Sequence, residues 1–317
     1  MKRIAVLDDY QDGASVSADW SAIRERADVV VFHDHVDDAQ KLLERLKPFD
    51  AICVMRERTP LRRPLLEQLP RLRFIASTGP ANASIDMDAA AELSITVSST
   101  GGVGSGAPEL TWSLILASAR HLPQELASVR AGGWQTGVGR DLAGRTLGII
   151  GLGKVGRQVA AVGRAFGMGV IASGGHLTDA KAQEAGVRRV DQDDLLRQAD
   201  WVSLHLALTP ETRGSISARE LGFMKPTAWL VNAARGTLVD EAALIAALRA
   251  GAIAGAALDV FDTEPLPPDH PFRTLPNVVA TPHIGFVTED TYRIFYGQTV
   301  ENLLAWLNGA PIRTASA

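Results

Sequence analysis

Three glycines at fixed spacing constrain this chain more than any other feature. Gly151, Gly153 and Gly156 form G-x-G-x-x-G directly after the apolar run 146–150 and before a segment with Val155, Val159, Val162 and Phe166 at helical spacing. The first glycine permits a tight turn, and the second lets backbone N–H groups approach a pyrophosphate. The third lets the following helix pack closely on the strand, with its positive dipole end toward the anion. A merely structural turn is the alternative, and the flanking strand and helix weigh against it. The contact set for a dinucleotide is then Gly151, Gly153 and Gly156 with the first helical residues Lys154 and Val155.

An acid at the end of the second strand, about 20 residues beyond such a turn, ordinarily binds the ribose hydroxyls of NAD, whereas a cationic partner marks NADP. Here Gly174 takes that place, followed by Gly175 and His176, with neither an acid nor an arginine in 170–176. Either NAD or NADP is compatible with the turn.

The turn sits in a repeating pattern. Runs 3–8, 28–32, 50–54, 73–77 and 95–97 read as strands, and 19–27, 37–47, 60–69 and 86–93 as helices, several opening with Asp or Pro. Strict alternation implies a parallel sheet covered on both sides. Residues 98–106 interrupt it with Gly101, Gly102, Gly104 and Gly106, the expected crossing between domains. A long helix is expected over 107–121, then strands over 146–150, 170–172, 201–206, 228–232, 255–260 and 278–281, and a final helix over 288–308. A chain of 317 residues fits two domains.

Composition removes several classes. With 46% apolar residues the chain can bury full cores, and 32 Lys+Arg against 36 Asp+Glu, a net charge of −4, argue against a nucleic-acid binder. Residues 1–9 carry too short an apolar run for a signal peptide, and no apolar stretch is long enough to span a membrane, so a soluble, cytoplasmic protein is expected. Cys53 lies in the apolar run 51–55 and reads as a core residue. His33 and His35 flank Asp34 without a further ligand cluster, so no metal site is expected.

Isolated polar residues stand near the ends of three later strands: Arg235, then Asp259 and Glu264, then His283. An arginine fork grips a carboxylate in two parallel hydrogen bonds, a histidine moves a proton near neutral pH, and a glutamate orients that ring and favours its protonated form. Taken singly, Arg235 fits a helix cap equally well, and Glu264 a solvated loop acid.

In this order, after this turn, these residues resemble the D-isomer-specific 2-hydroxyacid dehydrogenase family. The resemblance runs through 141–148, 205–212, 224–228, 232–236, 259–266 and 281–285, and covers nearly the whole chain. It implies two doubly wound parallel-sheet α/β domains: a Rossmann dinucleotide domain, 101–285, inserted into a flavodoxin-like substrate domain, 1–100 with 286–317, with the active site in the cleft. It implies an NAD(P)-dependent oxidoreductase that interconverts a 2-oxo acid and a D-2-hydroxy acid by hydride transfer. Arg235 is similar to the carboxylate-binding arginine, His283 to the acid/base and Glu264 to its partner. Asp259 is similar to a residue on the nicotinamide side, and Gly285 joins it among the cofactor contacts.

The resemblance also places substrate against the backbone of Thr78 and Gly79, although Pro80 lacks an N–H and the loop lacks the second glycine of many members. Arg56, with Arg58 nearby, follows a strand and is a candidate for a distal anionic group of the substrate. The apolar helix carrying Trp112, Leu114, Ile115 and Leu116 lies at a two-fold interface in relatives, which implies a homodimer. A short phosphoglycerate, hydroxypyruvate or glyoxylate reductase fits this pattern. The chain is too short for the long, regulated phosphoglycerate type, and a formate dehydrogenase would lack the His-plus-Glu pair. The rival from another class is a non-catalytic, dinucleotide-sensing binding protein on the same scaffold.

Overall fold

The computed structural model describes residues 1–315. The chain divides into two compact units, Met1–Val103 with Val287–Ala317, and Gly104–Phe286. The second unit is thus inserted into the first.

In the first unit, strands β1 (Lys2–Val6), β2 (Ala27–Val31), β3 (Ala51–Val54), β4 (Phe74–Ser77) and β5 (Thr96–Ser98) form a parallel sheet in the order β2-β1-β3-β4-β5. That is the flavodoxin-like order. Every residue of β3 and β4 is buried, as expected of strands covered on both faces. Asp38 caps the helix Ala39–Leu46 by accepting the Lys41 N–H at 2.8 Å, which turns Leu42, Leu43 and Leu46 onto the core. Two helices are shorter than the sequence pattern suggests. Residues 60–69 contain only Arg63–Leu66, because Leu61 bridges Ile85 and spends its backbone N–H on Ser84. Residues 19–27 contain only Ser21–Arg24, because Ala27 already pairs with Lys2 in the sheet. The helix Glu289–Leu307 closes this unit, stacking Trp306 on Phe74 with ring centroids 5.2 Å apart.

In the second unit, β6 (Thr146–Ile150), β7 (Gly169–Ser173), β8 (Arg188–Arg189), β9 (Trp201–Leu204), β10 (Trp229–Asn232), β11 (Gly255–Leu258) and β12 (Val278–Ala280) form a parallel sheet in the order β12-β11-β10-β9-β6-β7-β8. This is a Rossmann order, with the chain reversing direction across the sheet between β6 and β9. Alternate strand residues feed two cores. Ile150, Val202, Leu204 and Leu230 lie on one face, and Leu147, Ile149, Trp201 and Val231 on the other.

Three sequence expectations change here. The two-residue β8 is exposed and has no apolar pattern to announce it. The long helix runs Gly106–Ala119 and stops before His121, whose φ of +51° starts a second helix, Leu122–Arg130. Its Trp112, Leu114 and Ile115 are buried in this unit's own core. The helix Lys154–Ala165 buries Val159, and packs Val155 on the core, as expected, but completes its buried face with Gly156, Ala160 and Gly163, while Val162 and Phe166 are exposed. The small residues win because they let the helix lie close to β6, where a Cβ on Gly163 would come within 2.9 Å of Leu147. No helix among the described residues is long and apolar enough to cross a membrane.

Candidate active site

In an open α/β sheet, ligands bind at the carboxyl ends of the strands where the order reverses. The glycine turn stands at that point. Gly151 has φ +98°, and a Cβ there would lie 2.7 Å from the carbonyl oxygen of His205 at the end of β9. A Cβ on Gly156 would lie 2.2 Å from the Gly151 carbonyl oxygen, so only glycine lets the helix close on the turn. Gly153 is the opposite case: a Cβ there would meet nothing within 4 Å, and no side chain caps the helix that it begins. The turn is closed where backbones pack and open where an anion would sit, which fits a dinucleotide pyrophosphate held by the first-turn N–H groups of Lys154 and Val155. Gly174, at the end of β7, lies beside it, its would-be Cβ 3.8 Å from Gly151 Cα.

The polar residues on the later strands are held by their own unit. Buried Asn232, ending β10, accepts the Ala234 N–H at 3.1 Å and donates to the Arg235 carbonyl at 2.9 Å, which fixes the loop that presents Arg235. The Arg235 guanidinium donates to the Ala234 carbonyl at 2.7 Å. Gly236 then packs directly on the next loop, where a Cβ would fall 2.1 Å from the Phe261 carbonyl carbon. The Phe261 N–H donates to one oxygen of Glu264 at 2.8 Å, and the other oxygen meets His283 Nδ1 at 2.5 Å. Contacts therefore run from the Arg235 loop through Phe261 and Glu264 to His283.

A carboxylate accepts only, so the Glu264 contact places a proton on His283 Nδ1 and leaves Nε2 as the nitrogen that exchanges one. Nε2 has no hydrogen-bond partner among the described residues, and the side chain is 25% exposed. The backbone of His283 is left-handed, with φ +52°. Asp259 holds that loop: one oxygen accepts from Thr281 Oγ1 at 2.7 Å and the Ile284 N–H at 2.8 Å, the other from the Gly285 N–H at 2.9 Å. Expected to face the cofactor, Asp259 is 0% exposed and is seen here positioning the loop. Burial raises its pKa against the pull of these donors.

His205 directly follows β9, next to the glycine turn. Its Nε2 lies 2.9 Å from Ser203 Oγ, and burial pushes its pKa down to about 4, so the ring is neutral at pH 7. Asn232, Gly236 and Thr281 fall within the stretches 232–236 and 281–285 that carry the resemblance, but the sequence assigns none of them a role. A polar residue closing an apolar strand was the available signal for Asn232. Gly236 had none, since its necessity lies in a peptide 25 residues away.

In the first unit, the Arg56 Nη1 donates to the carbonyls of Thr78 at 3.4 Å and Ala81 at 3.2 Å, and Nη2 lies 3.5 Å from Glu57. Gly79, with φ +84°, makes room for it: a Cβ there would lie 1.8 Å from Nη1. The Gly79 N–H, expected to face substrate, donates to Thr100 Oγ1 at 2.8 Å. Thr78 Oγ1 accepts the Arg56 N–H at 2.8 Å. Of the two early histidines, His35 bridges Asp8 at 2.8 Å and Asp37 at 3.0 Å, and His33 Nδ1 meets the Asp9 carbonyl at 2.8 Å. Asp9, Asp12 and His33 bring three potential ligand atoms within 4.8 Å of one another, but donors of this unit already occupy the Asp9 carboxylate.

Residues 112–285 match the model of the NAD-binding domain of D-isomer specific 2-hydroxyacid dehydrogenases. The chain is 44% identical over 255 residues to a glyoxylate reductase of Aeropyrum pernix, covering 77% of this chain and 76% of that one. It is 42% identical over 258 residues to a D-3-phosphoglycerate dehydrogenase of Methanocaldococcus jannaschii, covering 80% of this chain but only 49% of that one. The chain thus spans about half the length of that second relative. The crystal structure of a phosphoglycerate oxidoreductase from Vibrio cholerae superposes with a TM-score of 0.92 at 40% identity, over 98% of this chain and 100% of that one. The chain belongs to the D-isomer-specific 2-hydroxyacid dehydrogenase family. It is an oxidoreductase whose second unit is that family's NAD-binding domain.

Proposed function

We propose that this chain reduces a short 2-oxo acid to the D-2-hydroxy acid and catalyses the reverse oxidation, with His283 as acid/base, Glu264 as its orienting partner and Arg235 as the carboxylate anchor. The observation that carries the assignment is the 2.5 Å contact between Glu264 and His283 Nδ1, which leaves Nε2 to meet substrate. The reduced nicotinamide supplies the hydride. His283 gives its Nε2 proton to the carbonyl oxygen as that oxygen gains charge, and takes it back from the hydroxyl in oxidation. Arg235 grips the carboxylate through its planar fork and so fixes which face of the carbonyl is presented. Arg56 is the candidate for a distal anionic group; the Thr78 and Gly79 N–H groups are already donated within their own unit, to the Val54 carbonyl at 3.1 Å and to Thr100 Oγ1 at 2.8 Å, and are not proposed as substrate contacts. Among the substrates that relatives are named for, glyoxylate is favoured, because the glyoxylate reductase matches over most of both chains.

We also propose a homodimer. The helix Leu122–Arg130 buries none of its residues and exposes Leu122, Leu126 and Val129 at i, i+4 and i+7, and Trp134 and Val138 follow, exposed as well. A stripe of this kind on the surface marks an association face, and a second copy of the chain is the proposed occupant.

The test is a panel of glyoxylate, hydroxypyruvate and pyruvate with NADH and NADPH, run on the wild type and on His283→Ala. Turnover by the wild type is expected, with a loss of about 10²–10⁴-fold in the variant and little change in cofactor affinity. No turnover of any 2-oxo acid, or a variant within a few-fold of wild type when chemistry limits the rate, overturns the assignment.

A further inference from the structure

Glu264 sits on a loop that is tied at both ends, and the ties lead to two residues outside the catalytic set. Beyond Glu264, Arg273 of the short 3₁₀ turn Pro271–Arg273 donates from Nε to the Pro267 carbonyl at 2.8 Å and from Nη2 to the Leu266 carbonyl at 2.5 Å. Before Glu264, two consecutive backbone N–H groups go to two different carboxylates. Phe261 gives its N–H to Glu264 itself, and Asp262 gives its own to Glu241 Oε2 at 3.4 Å. Glu241 opens the helix Glu241–Arg249, which Asp240 caps by accepting the Ala243 N–H at 3.0 Å, so its carboxylate stands on a fixed base.

The other oxygen of Glu241 meets His270 Nε2 at 3.0 Å, and both side chains are largely covered, at 13% exposure for His270 and 24% for Glu241. His270 also caps the 3₁₀ turn, its Nδ1 accepting the Phe272 N–H at 3.2 Å. An imidazole that accepts at Nδ1 carries its proton on Nε2, so the neutral ring is satisfied at both nitrogens and donates to Glu241. The His270 and Phe272 rings lie 4.8 Å apart, and Phe272 lies 6.2 Å from Phe261 in the same core. Contacts thus close a circuit from Phe261 and Asp262 through Glu241, His270 and Phe272 back to Phe261. The remaining charges facing Asp262 are Asp240 and Arg213; burial first, then Glu241, raise the Asp262 pKa, and Arg213 lowers it.

We infer that Glu241 and His270 are positioning residues for the proton transfer, clamping the Phe261–Asp262 peptide and so keeping the Glu264 carboxylate on His283. The inference rests on the reading of His283 as the acid/base and adds residues that reach it only through Glu264. A cap for a three-residue turn needs only an acceptor. A donor aimed at the carboxylate that holds the neighbouring loop serves a second purpose.

The experiment separates the two ends of the His270 ring. His270→Asn keeps an acceptor at the Nδ1 position and loses the donor to Glu241, whereas His270→Gln keeps the donor and gives up the cap. Reduction of glyoxylate, hydroxypyruvate and pyruvate with NADH and NADPH is followed from about pH 5 to 9 in both variants, in Glu241→Ala, in the double variant His270→Asn/Glu241→Ala and in the wild type, with thermal melting as the folding control. In His270→Asn and in Glu241→Ala, kcat should fall about tenfold while KM for the dinucleotide changes less than about twofold. The loss of rate at high pH should begin about half a pH unit lower or more, because a misplaced Glu264 no longer favours the protonated ring. His270→Gln should keep the wild-type profile even if it melts earlier. The double variant should be no slower than the worse single one, since the two residues act as one clamp. A wild-type pH profile in His270→Asn or in Glu241→Ala, or a His270→Gln protein as impaired as His270→Asn, reduces the pair to a structural cap and overturns the inference while the catalytic assignment stands. If Glu241→Ala does not fold, the two His270 variants decide alone. A wild type that reduces none of the three 2-oxo acids overturns the catalytic assignment and the inference with it.

Discussion

The first strand of each sheet ends in a turn that leads to a helix, and the two turns are finished in opposite ways. After β1, Asp9 places its own carboxylate at the start of the helix Gly13–Ser17, accepting the Gly13 N–H at 2.7 Å and the Ala14 N–H at 3.0 Å, with Tyr296 Oη at 3.2 Å. Asp8 beside it accepts from Thr59 Oγ1 at 2.5 Å and meets His35 at 2.8 Å. After β6, three glycines leave the corresponding helix without a side-chain cap. Both helix starts need an anion for the same electrostatic reason. One unit supplies it covalently and is thereby complete, while the other leaves the place for a ligand. Sheet order alone therefore does not reveal which turn is a binding site; the side chains at the first few positions do.

The comparison breaks most severely if Asp9 is removed. Asp9→Ala leaves two buried N–H donors and a tyrosine hydroxyl without their acceptor and should cost about 3–5 kcal/mol of stability. Urea denaturation checks this, and dinucleotide affinity should stay within a few-fold in the protein that remains folded. If the variant matches the wild type in stability, the Asp9 carboxylate is not the fixed anion described.

Gly153→Asp makes the second turn resemble the first. Its Cβ meets nothing, so stability should hold or rise by a few tenths of a kcal/mol through capping. The new carboxylate occupies the pyrophosphate place, and NAD(P)H affinity, followed by fluorescence titration, should fall by at least about 100-fold, or about 2.7 kcal/mol. Retained affinity would move the pyrophosphate away from this turn.

A smaller effect separates two histidines. The hydrogen bond from Asp8 raises the His35 pKa, so its stabilising charge is fully present below about pH 6.5 and is lost as pH rises through the higher folded value. The stability gap between wild type and His35→Gln should therefore narrow from pH 6 toward pH 9. His205, lowered to about 4 by burial, runs the other way: its contribution is present above about pH 6.5 and declines as pH falls, by about 1–2 kcal/mol at pH 5. Replacing it with Asn should flatten that acid limb. Chemical-denaturation midpoints across pH 5–9 read both slopes, and parallel profiles for the two variants would contradict the contrast.

What was legible in the sequence follows from how local each constraint is. The glycine turn could be read because a strand, a positive φ and a helix start fall within about a dozen residues. The buried strands could be read because parallel sheets covered on both faces need continuous apolar runs. Gly236 could not, because its reason is the Phe261 peptide, and neither could the position of Asp259 beneath the His283 loop. In Lys154–Ala165 side-chain bulk marks only part of the buried face: Val159 is buried, but close packing on β6 selects Gly156, Ala160 and Gly163 in place of Val162 and Phe166. The Asp8-Asp9 pair reads as the polar end of a strand until the helix at Gly13 and the distant Tyr296 come into contact with it.

Insertion of one unit within the other also orders the events of synthesis. Residues 104–286 form a continuous piece that can close on itself, whereas Phe74 of the first unit has no Trp306 to stack on, and Trp20 no Tyr296 edge at 6.5 Å, until the last helix is made. At common elongation rates of about 5–20 residues per second, the early sheet waits roughly 10–40 s with one apolar side uncovered. The segment translated first is thus the last to be finished, and a newly made chain is most exposed to aggregation and to chaperone capture through β4 during that interval.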